Sequence, residues 1–319
     1  MINQKVLMSI LRLLKILIRS YLLPNTKTYS EYGRKGLIKN TARYCYSVWL
    51  RHIVIANKNG LNTKPKSVAE IGPGDSLGMA LCALITGVEE YTIFDSQKNI
   101  NKEVNYKILD ELIVLFRNME DIPNENEFPE IRPKLDNYNF PREILSKHYL
   151  KKMLSNERLK NIRRYIDSFN SKNSKIKYIF NFEKKIISQF DLFISQAVLE
   201  HIDNLDEFFF FMRNALKENG YVSHQIDLKS HNISSKWDGH WRYSKIFWKV
   251  LRGNRLWFIN RYAYSDYIKL FDKNRFRTVF IDRNIKIPSF KKSKLAKEFK
   301  YMSDIDRHTS GFFIQAEIF

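Results

Sequence analysis

A short segment around residue 70 constrains the fold of this chain more than any other feature. The apolar run Ser67–Ile71 leads into Gly72-Pro73-Gly74 and then into a helical pattern at Leu77–Thr86. Glycines in such a turn let the backbone approach a ligand where a Cβ would collide with it. From Lys66 onwards, apolar runs alternate with helical patterns, which indicates a doubly wound α/β fold built on a parallel sheet.

The pattern predicts a seven-stranded Rossmann-like sheet in a main domain that spans residues 61–319. Residues 1–60 are expected to form an N-terminal amphipathic and helical segment, and insertions are expected near 119–170 and 229–262. The first insertion begins with a proline-containing loop at 119–142. The predicted strands are Ser67–Ile71, Tyr91–Phe94, Ile176–Phe180, Phe190–Ser195, Tyr221–Leu228, Thr278–Arg283 and Phe312–Phe319. The predicted helices include 28–58, Leu77–Thr86, Lys102–Arg117, 143–169, Asp206–Leu216 and Tyr264–Phe271.

Residues 6–23 are strongly apolar, yet Arg12, Lys15 and Arg19 recur about once per helical turn. A charge at mid-bilayer costs about 2.5–3.5 kcal/mol, so three charges argue against a spanning helix and favour an amphipathic one. The helix, predicted over residues 1–24, is expected either to lie on an anionic membrane surface or to pack on the domain or on a second subunit of a homo-oligomer.

Composition bounds the location and the partners only loosely. No cleavable signal peptide is evident, and Cys45 and Cys82 lie in separate predicted helices. A cytoplasmic location is therefore expected, with or without contact to the inner face of the membrane. The formal net charge of +20 would suit nucleic acid, anionic lipid or an acidic polymer. The basic residues are scattered, however, and fit equally well a composition rich in Lys, Asn, Ile and Phe.

Acidic residues accompany the glycine turn. Glu70 comes directly before it, and a carboxylate there is a poor neighbour for a pyrophosphate but a good one for a cationic amino acid. The spacing Gly-x-Gly-x-x-x-Gly, which ends at Gly78, also differs from the dinucleotide-binding Gly-x-Gly-x-x-Gly. Asp95 ends the next strand, where a carboxylate can accept hydrogen bonds from both ribose hydroxyls. The alternative for Asp95 is the N-cap of a helix at Ser96–Asn99.

The segment that begins at Phe190 reads FDLFISQAVLEHIDNL. Together with the turn at Glu70–Gly78 and the acid at 95, it makes the chain resemble the class I S-adenosylmethionine (SAM)-dependent methyltransferases over roughly residues 66–228. The resemblance implies SAM as the cofactor. The residues that it assigns to SAM are Glu70, Gly72 and Gly74 for the methionine end, Asp95 for the ribose, and Ser195, Gln196 and Ala197 beside the sulfonium. Asp75, in the same turn, is a further cofactor-binding candidate. The resemblance also implies that Asn181 or Glu183 binds the adenine.

A further segment, GYVSHQIDLKSH at 220–231, is followed by Asn260-Arg261 and Ser265-Asp266-Tyr267. These stretches resemble methyltransferases associated with bacterial surface-glycan clusters. The resemblance implies O-methylation of a sugar hydroxyl in a surface polysaccharide or in its lipid-linked precursor, so a sugar or a glycolipid is the expected acceptor.

A sugar hydroxyl is a weak acid and reacts faster beside a base, for which histidine is the common choice. The candidates near the carboxyl ends of strands 4 and 5 are His201, His224, Asp227 and His231. His201 could instead pack at a helix start, and His224 could be a satisfied core histidine. Asp227 and His231 could together bind a divalent ion, but the spacing is too short a signal to predict a metal.

The second insertion is rich in aromatic and basic residues, which suit either an acceptor-binding lid or a helical hairpin packed on the sheet. Its candidate residues are Trp237, His240, Trp241, Arg242, Trp248, Arg252 and Trp257.

Other functions stay open at the level of sequence. The acceptor could be a lipid or quinone, or the chain could be a non-catalytic binding protein on the same fold. Methylation of RNA or DNA is disfavoured, because amine-methylating enzymes of nucleic acid commonly carry an Asn/Asp-Pro-Pro-Tyr-type motif after strand 4. The chain has Ser195-Gln196-Ala197-Val198 there.

Overall fold

The computed structural model describes residues 4–22, 41–95, 100–169, 171–179, 187, 189–256 and 258–319. Its strands are β1 (Ser67–Ile71), β2 (Glu90–Phe94), β3 (Ile176–Ile179), β4 (Phe190–Gln196), β5 (Leu216–Asp227), β6 (Phe276–Ile285) and β7 (Thr309–Ile318). Its helices are α1 (Gln4–Tyr21), α2 (Ala42–Lys58), α3 (Gly78–Ile85), α4 (Lys102–Asn118), α5 (Lys147–Met153), α6 (Asn156–Asp167), α7 (Leu205–Ala215), α8 (Lys245–Arg252), α9 (Tyr264–Lys273) and α10 (Asp304–His308).

The strands form one seven-stranded sheet in the order β3-β2-β1-β4-β5-β7-β6. Strands β1 to β5 run parallel, and β7 lies antiparallel between β5 and β6. The predicted doubly wound α/β fold is therefore confirmed. The order reverses between β1 and β4, and ligands of such sheets bind in the crevice beyond the carboxyl ends of the strands at that point.

Strand β5 begins earlier than its predicted start at Tyr221. Phe190 pairs with Leu216 and Leu192 pairs with Tyr221, so the residues between Leu216 and Tyr221 bulge opposite Asp191. The Nζ atom of Lys217, in the bulge, lies 2.8 Å from Oδ1 of Asp191. The polar bulge has the composition of a turn, which is why the sequence places the strand start too late.

Helices cover both faces of the sheet, and α2 belongs to this packing. Helices α2, α3 and α4 contribute to one core with Val68 of β1, whereas α7 and α9 pack with Ala69 on the other face. Helix α2 approaches α3 closely, since a Cβ on Gly78 would lie 2.2 Å from Sγ of Cys45. The helix predicted over 28–58 is confirmed for Ala42–Lys58, and its predicted part over 28–40 lies outside the described residues. The domain boundary at residue 60 stays a prediction.

The loop predicted at 119–142 has neither helix nor strand, and Arg51 of α2 holds it in place. The guanidinium of Arg51 is completely buried, and it donates to the carbonyl oxygens of Pro123 (2.9 Å) and Pro133 (2.7 Å). Its NH1 group also lies 3.1 Å from Oε1 of Glu125. A single side chain therefore satisfies two backbone oxygens that lie apart in an irregular segment.

Helix α1 packs on α8, which is one of the arrangements expected from its sequence. Ile16 is buried with Trp248 and Leu251, and the Ser20 hydroxyl donates to the carbonyl oxygen of Leu251 at 2.6 Å. In the part of the chain that the structure describes, no helix has the length and apolarity needed to cross a bilayer. Contact with a membrane or with a second copy stays a prediction.

Candidate functional site

The turn after β1 is built around glycines in left-handed conformation. Gly72 has φ +65° and Gly74 has φ +72°, a region that side chains with a Cβ disfavour. A Cβ on Gly72 would also lie 2.8 Å from both γ-carbons of Val198, in the loop after β4. The Gly72 N–H donates to the carbonyl oxygen of Phe94 at 2.9 Å. The turn is therefore held between the end of β2 and the loop after β4, at the crevice of the sheet.

Glu70 lies just below this turn and is 4% exposed. Its Oε2 atom accepts a hydrogen bond from the Tyr91 hydroxyl at 2.9 Å. Burial raises the pKa of Glu70 to about 8; the charge of Asp95 adds to the rise, and the hydrogen bond from Tyr91 opposes it. A cation in the crevice would favour the ionised form of this carboxyl group.

Asp95 follows β2 directly and is half-buried, and its N–H donates to the carbonyl oxygen of Ile179 at 3.1 Å. Burial, then the charge of Asp95 and a hydrogen bond to it, raises the pKa of Tyr178 well above its ordinary value. The carboxylate thus lies at the same edge of the sheet as the glycine turn. The alternative helix at Ser96–Asn99 and both adenine candidates, Asn181 and Glu183, lie outside the described residues.

The residues at the carboxyl end of β4 divide between the core and the crevice. Ser195 is buried, and its Oγ lies 2.8 Å from Nδ1 of His224. Nε2 of Gln196 donates to Oε1 of Gln225 at 2.6 Å. Ala197 has φ +56°, and its N–H donates to the carbonyl oxygen of Gln225 at 2.8 Å. Gln196 and Ala197 line a cavity. The last residue assigned to the cofactor, Asp75, is half-buried in the turn after β1.

His224 does not belong to the group at the crevice. It is 0% exposed, and its Nε2 atom lies 3.3 Å from the sulfur of Met212. Burial, with a smaller effect from His52, lowers the pKa of His224 to about 3, so the ring is neutral. The structure therefore corrects the assignment of His224 as a catalytic candidate and places it as a core histidine, the alternative that strand alternation allowed.

The cavity at the carboxyl ends of β4 and β5 has a volume of about 110 Å³, and its wall includes Tyr44, Arg132 and Asp227. Gln225 organises this wall. Its Oε1 accepts from the Arg132 N–H as well as from Gln196, both at 2.6 Å, and its Nε2 donates to the Glu130 carbonyl at 3.1 Å. Sequence reasoning missed Gln225. Because side chains alternate between the two faces of a strand, Gln225 lies on the same face as Asp227, and this alternation could have identified it as a cavity residue.

The other three catalytic candidates do come together. The His201 and His231 rings have centroids 5.0 Å apart, and Nε2 of His231 lies 3.5 Å from Oδ2 of Asp227. Nζ of Lys229 lies 3.3 Å from the same Asp227 oxygen. Burial acts to raise the pKa of Asp227, but the hydrogen bond from His231 and the charge of Lys229 outweigh it, and the pKa falls well below its usual value. Asp227 is therefore a carboxylate at neutral pH.

Sequence reasoning also missed Glu200, next to His201. Glu200 is 2% exposed, and its Oε1 lies 4.0 Å from Nε2 of His231. Asn260 holds the short turn Leu199–His201: its Nδ2 donates to the carbonyl oxygens of Leu199 (2.9 Å) and Ile202 (3.2 Å). Its own N–H donates to the Glu200 carbonyl at 2.6 Å. The order Leu-Glu-His was visible in the sequence, but nothing there showed that His231 approaches it.

The aromatic and basic insertion is mainly packed. Trp241, His240 and Trp248 are buried, and the Arg261 guanidinium lies 4.6 Å from the ring centroids of both Trp248 and Phe299. This packing favours the hairpin alternative over a mobile lid. The remaining candidates are partly exposed Trp237, Arg242 over the Phe290 ring, Arg252 in an ion pair with Asp203, and Trp257, which lies outside the described residues.

Comparisons with known proteins found similar solved structures. No protein-family model and no curated protein matches the chain. A SAM-dependent methyltransferase from Methanosarcina mazei matches with TM-score 0.39 and 11% identity, over 83% of this chain and 96% of the other. Phosphoethanolamine N-methyltransferase 2 of Haemonchus contortus, solved with SAM, matches with TM-score 0.40 and 13% identity, over 87% and 57%. Geranyl diphosphate C-methyltransferase of Streptomyces coelicolor matches with TM-score 0.41 and 10% identity, over 84% and 78%. Identity this low transfers no activity or acceptor, so a function for this chain has to follow from its own side chains.

Proposed function

We propose that this chain is a SAM-dependent methyltransferase that methylates a hydroxyl group. The observation that carries the proposal is the turn after β1, where the backbone of Gly72 and Gly74 is left-handed and buried Glu70 lies directly beneath. A Cβ at Gly72 has no room, so the sequence keeps a bare backbone at the crevice. This cradle fits the methionine end of SAM, with Glu70 toward its cationic groups and Asp75 in the same turn. Bound there, SAM would supply an electrophilic methyl group on a sulfonium.

The remaining cofactor contacts are proposed from position. Asp95 lies at the end of the neighbouring strand and would accept hydrogen bonds from the ribose hydroxyls. Gln196 and Ala197 line the cavity next to the turn and would border the sulfonium. Ser195 is committed to His224 in the core, so it would contribute through its backbone alone.

For the acceptor we propose a sugar hydroxyl of a surface polysaccharide or of its lipid-linked precursor. The cavity wall offers the amides of Gln196 and Gln225, the Asp227 carboxylate and the Tyr44 ring, which are groups that bind hydroxyls and stack on sugar rings. His201, His231 and Asp227 would then orient the hydroxyl and take up its proton. Asp227, an anion 3.5 Å from His231, would hold that imidazole in one orientation.

A lipid-linked acceptor gains support from the outer face of α1 and α8. Leu11 and Leu14 of α1 and Ile246 of α8 are exposed, with basic Lys15 and Lys249 on the same two packed helices. Exposed apolar and basic residues on two helices that pack together suit an anionic membrane. We propose that this surface rests on the cytoplasmic leaflet.

Calorimetric titration with SAM tests the cofactor assignment. The wild-type chain should bind SAM, and Asp95→Ala should weaken binding at least tenfold, because charge-assisted hydrogen bonds contribute about 1.5–3 kcal/mol each. Asp110→Ala, on the surface of α4, removes a carboxylate that is paired with Arg163 and should leave affinity unchanged. A wild-type chain that does not bind SAM contradicts the proposed function, and equal affinity in all three proteins removes Asp95 from the site.

The membrane contact has its own test, flotation of the full chain with phosphatidylglycerol vesicles. Leu11→Asp with Leu14→Asp should abolish flotation, whereas Ile287→Asp, at an exposed apolar residue elsewhere, should not. Equal flotation of both variants would refute the role of α1. For the acceptor, mass analysis of surface glycans with and without the gene should show the loss of one O-methyl group, and unchanged glycans would refute the sugar.

A further inference from the structure

We propose that Glu200, His201 and His231 bind a divalent first-row transition-metal ion at the carboxyl ends of β4 and β5. The three residues come from two separate loops, and their ligand atoms all lie within 4.8 Å of one another. Two imidazoles and one carboxylate are a donor set that suits Zn²⁺, Fe²⁺, Co²⁺ or Mn²⁺ and is unusual for Mg²⁺ or Ca²⁺.

The distances require only small side-chain movements. Two ligand atoms about 2.1 Å from a tetrahedral ion lie roughly 3.4 Å apart. Oε1 of Glu200 and Nε2 of His231 are 4.0 Å apart, and Nε2 of His231 is 3.5 Å from Oδ2 of Asp227. Both carboxylates thus approach the same nitrogen of His231, which places Asp227 beside the ion and not behind the imidazole ring.

The backbone around the cluster is held in unusual conformations. His231 and Asn232 have φ +45° and +64°, and Ala197, in the loop that precedes Glu200, has φ +56°. Side chains with a Cβ adopt this region rarely, and such positions concentrate at binding and catalytic sites. Asn260 additionally fixes the turn that carries Glu200 and His201 through hydrogen bonds to Leu199 and Ile202. The ligands are therefore presented by constrained loops.

The burial of the three side chains differs in a way that suits a metal site open to the cavity. Glu200 is 2% exposed. His201 and His231 are partly exposed, which leaves a path for an ion and an open coordination position. Asp227 connects this position to the cavity, whose wall it forms. A site with three protein ligands and an open position is the pattern of catalytic metal sites.

This role rests on the proposed function and deepens it. The ion would hold the acceptor hydroxyl at the cavity and lower the pKa of that hydroxyl, and Asp227 would take up the proton, because imidazole nitrogens bound to the ion cannot accept one. Metal binding itself does not depend on SAM. Titration of the metal is therefore done without SAM, and titration of SAM is done in EDTA, so that failure of either assignment is seen separately.

The test is titration of the EDTA-treated full chain with Co²⁺, followed by visible absorption, and with Zn²⁺, followed by calorimetry. One equivalent should bind per chain. His231→Gln and Glu200→Gln should each weaken Zn²⁺ binding more than tenfold, while His148→Gln, on the exposed surface of α5, should leave it unchanged. Thermal melting of each variant shows whether it has folded.

A second measurement needs no variant. Substoichiometric Mn²⁺ added to the wild-type chain should broaden the imidazole NMR signals of His201 and His231 before that of His148. Equal broadening of all three signals, absence of Co²⁺ and Zn²⁺ binding, or Zn²⁺ affinity unchanged in both folded ligand variants would overturn the inference.

Discussion

Replacing Glu70 with glutamine should remove a pH-dependent loss of stability that the wild-type chain shows between pH 6 and pH 8. Glutamine has nearly the same shape and keeps an oxygen for the Tyr91 hydroxyl, which now donates to Glu70 at 2.9 Å. Only the titration is lost. The folded chain holds a proton on Glu70 up to a pKa of about 8, while the unfolded chain releases it near the ordinary pKa of 4.5.

The direction of this change in stability with pH follows from the number of protons that each state binds. Between the two pKa values the folded state binds more protons than the unfolded state, so the stability due to this group is fully present below pH 4.5 and is lost as the pH rises toward 8. The slope is about 1.4 kcal/mol per pH unit. From about pH 6 to 7.5 the wild type should therefore lose about 2 kcal/mol relative to Glu70→Gln, and the difference should level off above about pH 8.5.

Chemical denaturation followed by circular dichroism at several pH values measures this difference. Burial lowers the pKa of His52 to about 4 and of His224 to about 3, which also makes stability depend on pH, but both histidines are present in both proteins and cancel. Glu89→Gln is the control: Glu89 is exposed, and Lys66 lowers its pKa, so it is ionised in both states above pH 6. Parallel pH profiles for wild type and Glu70→Gln would refute the argument that burial keeps this carboxyl group protonated.

Three further outcomes are expected. Gly72→Ala should destabilise the chain by about 1–3 kcal/mol in thermal melting, because Gly72 has a positive φ and a Cβ there would lie 2.8 Å from Val198. Adding Val198→Ala should recover part of the loss, and purely additive effects of the two changes would contradict the contact. Arg51→Lys should cost about 2–4 kcal/mol in denaturation, since a lysine cannot reach both proline carbonyl oxygens; a loss below about 0.5 kcal/mol would show that the loop does not depend on them. At about pH 7.5, formation of the proposed SAM complex should release up to about 0.75 proton from Glu70, measured by calorimetry in buffers of different ionisation enthalpy, and Glu70→Gln should release none.

Much of the sheet follows from local patterns. Strand β1 lies at its predicted bounds, and most of the other described strands begin or end within a few residues of their predicted bounds, because each is a short apolar run with a turn or helix beside it. The main error, the start of β5, comes from an exposed polar bulge whose residues favour a turn in isolation. A bulge is decided by the neighbouring strand, here through the ion pair of Lys217 with Asp191.

The site was less accessible to sequence reasoning, because its parts meet only after folding. The glycine turn and Asp95 are visible as local motifs, but the approach of Val198 to Gly72 joins residues that are far apart in the chain. His224 and Asp227 are both polar residues near the end of the same strand. Because side chains alternate between the faces of a strand, His224 lies in the core and Asp227 lines the cavity.

Helix α2 ties the first part of the chain to the binding crevice. It contributes Tyr44 to the cavity wall, Cys45 to the contact with α3, and Arg51 to the loop at 119–142. A fragment cut at residue 61 to isolate the sheet would therefore lack one side of its own pocket. It would also leave two proline carbonyl oxygens without their donor. Fragment work on this protein has to begin before Thr41, whose hydroxyl starts the helix.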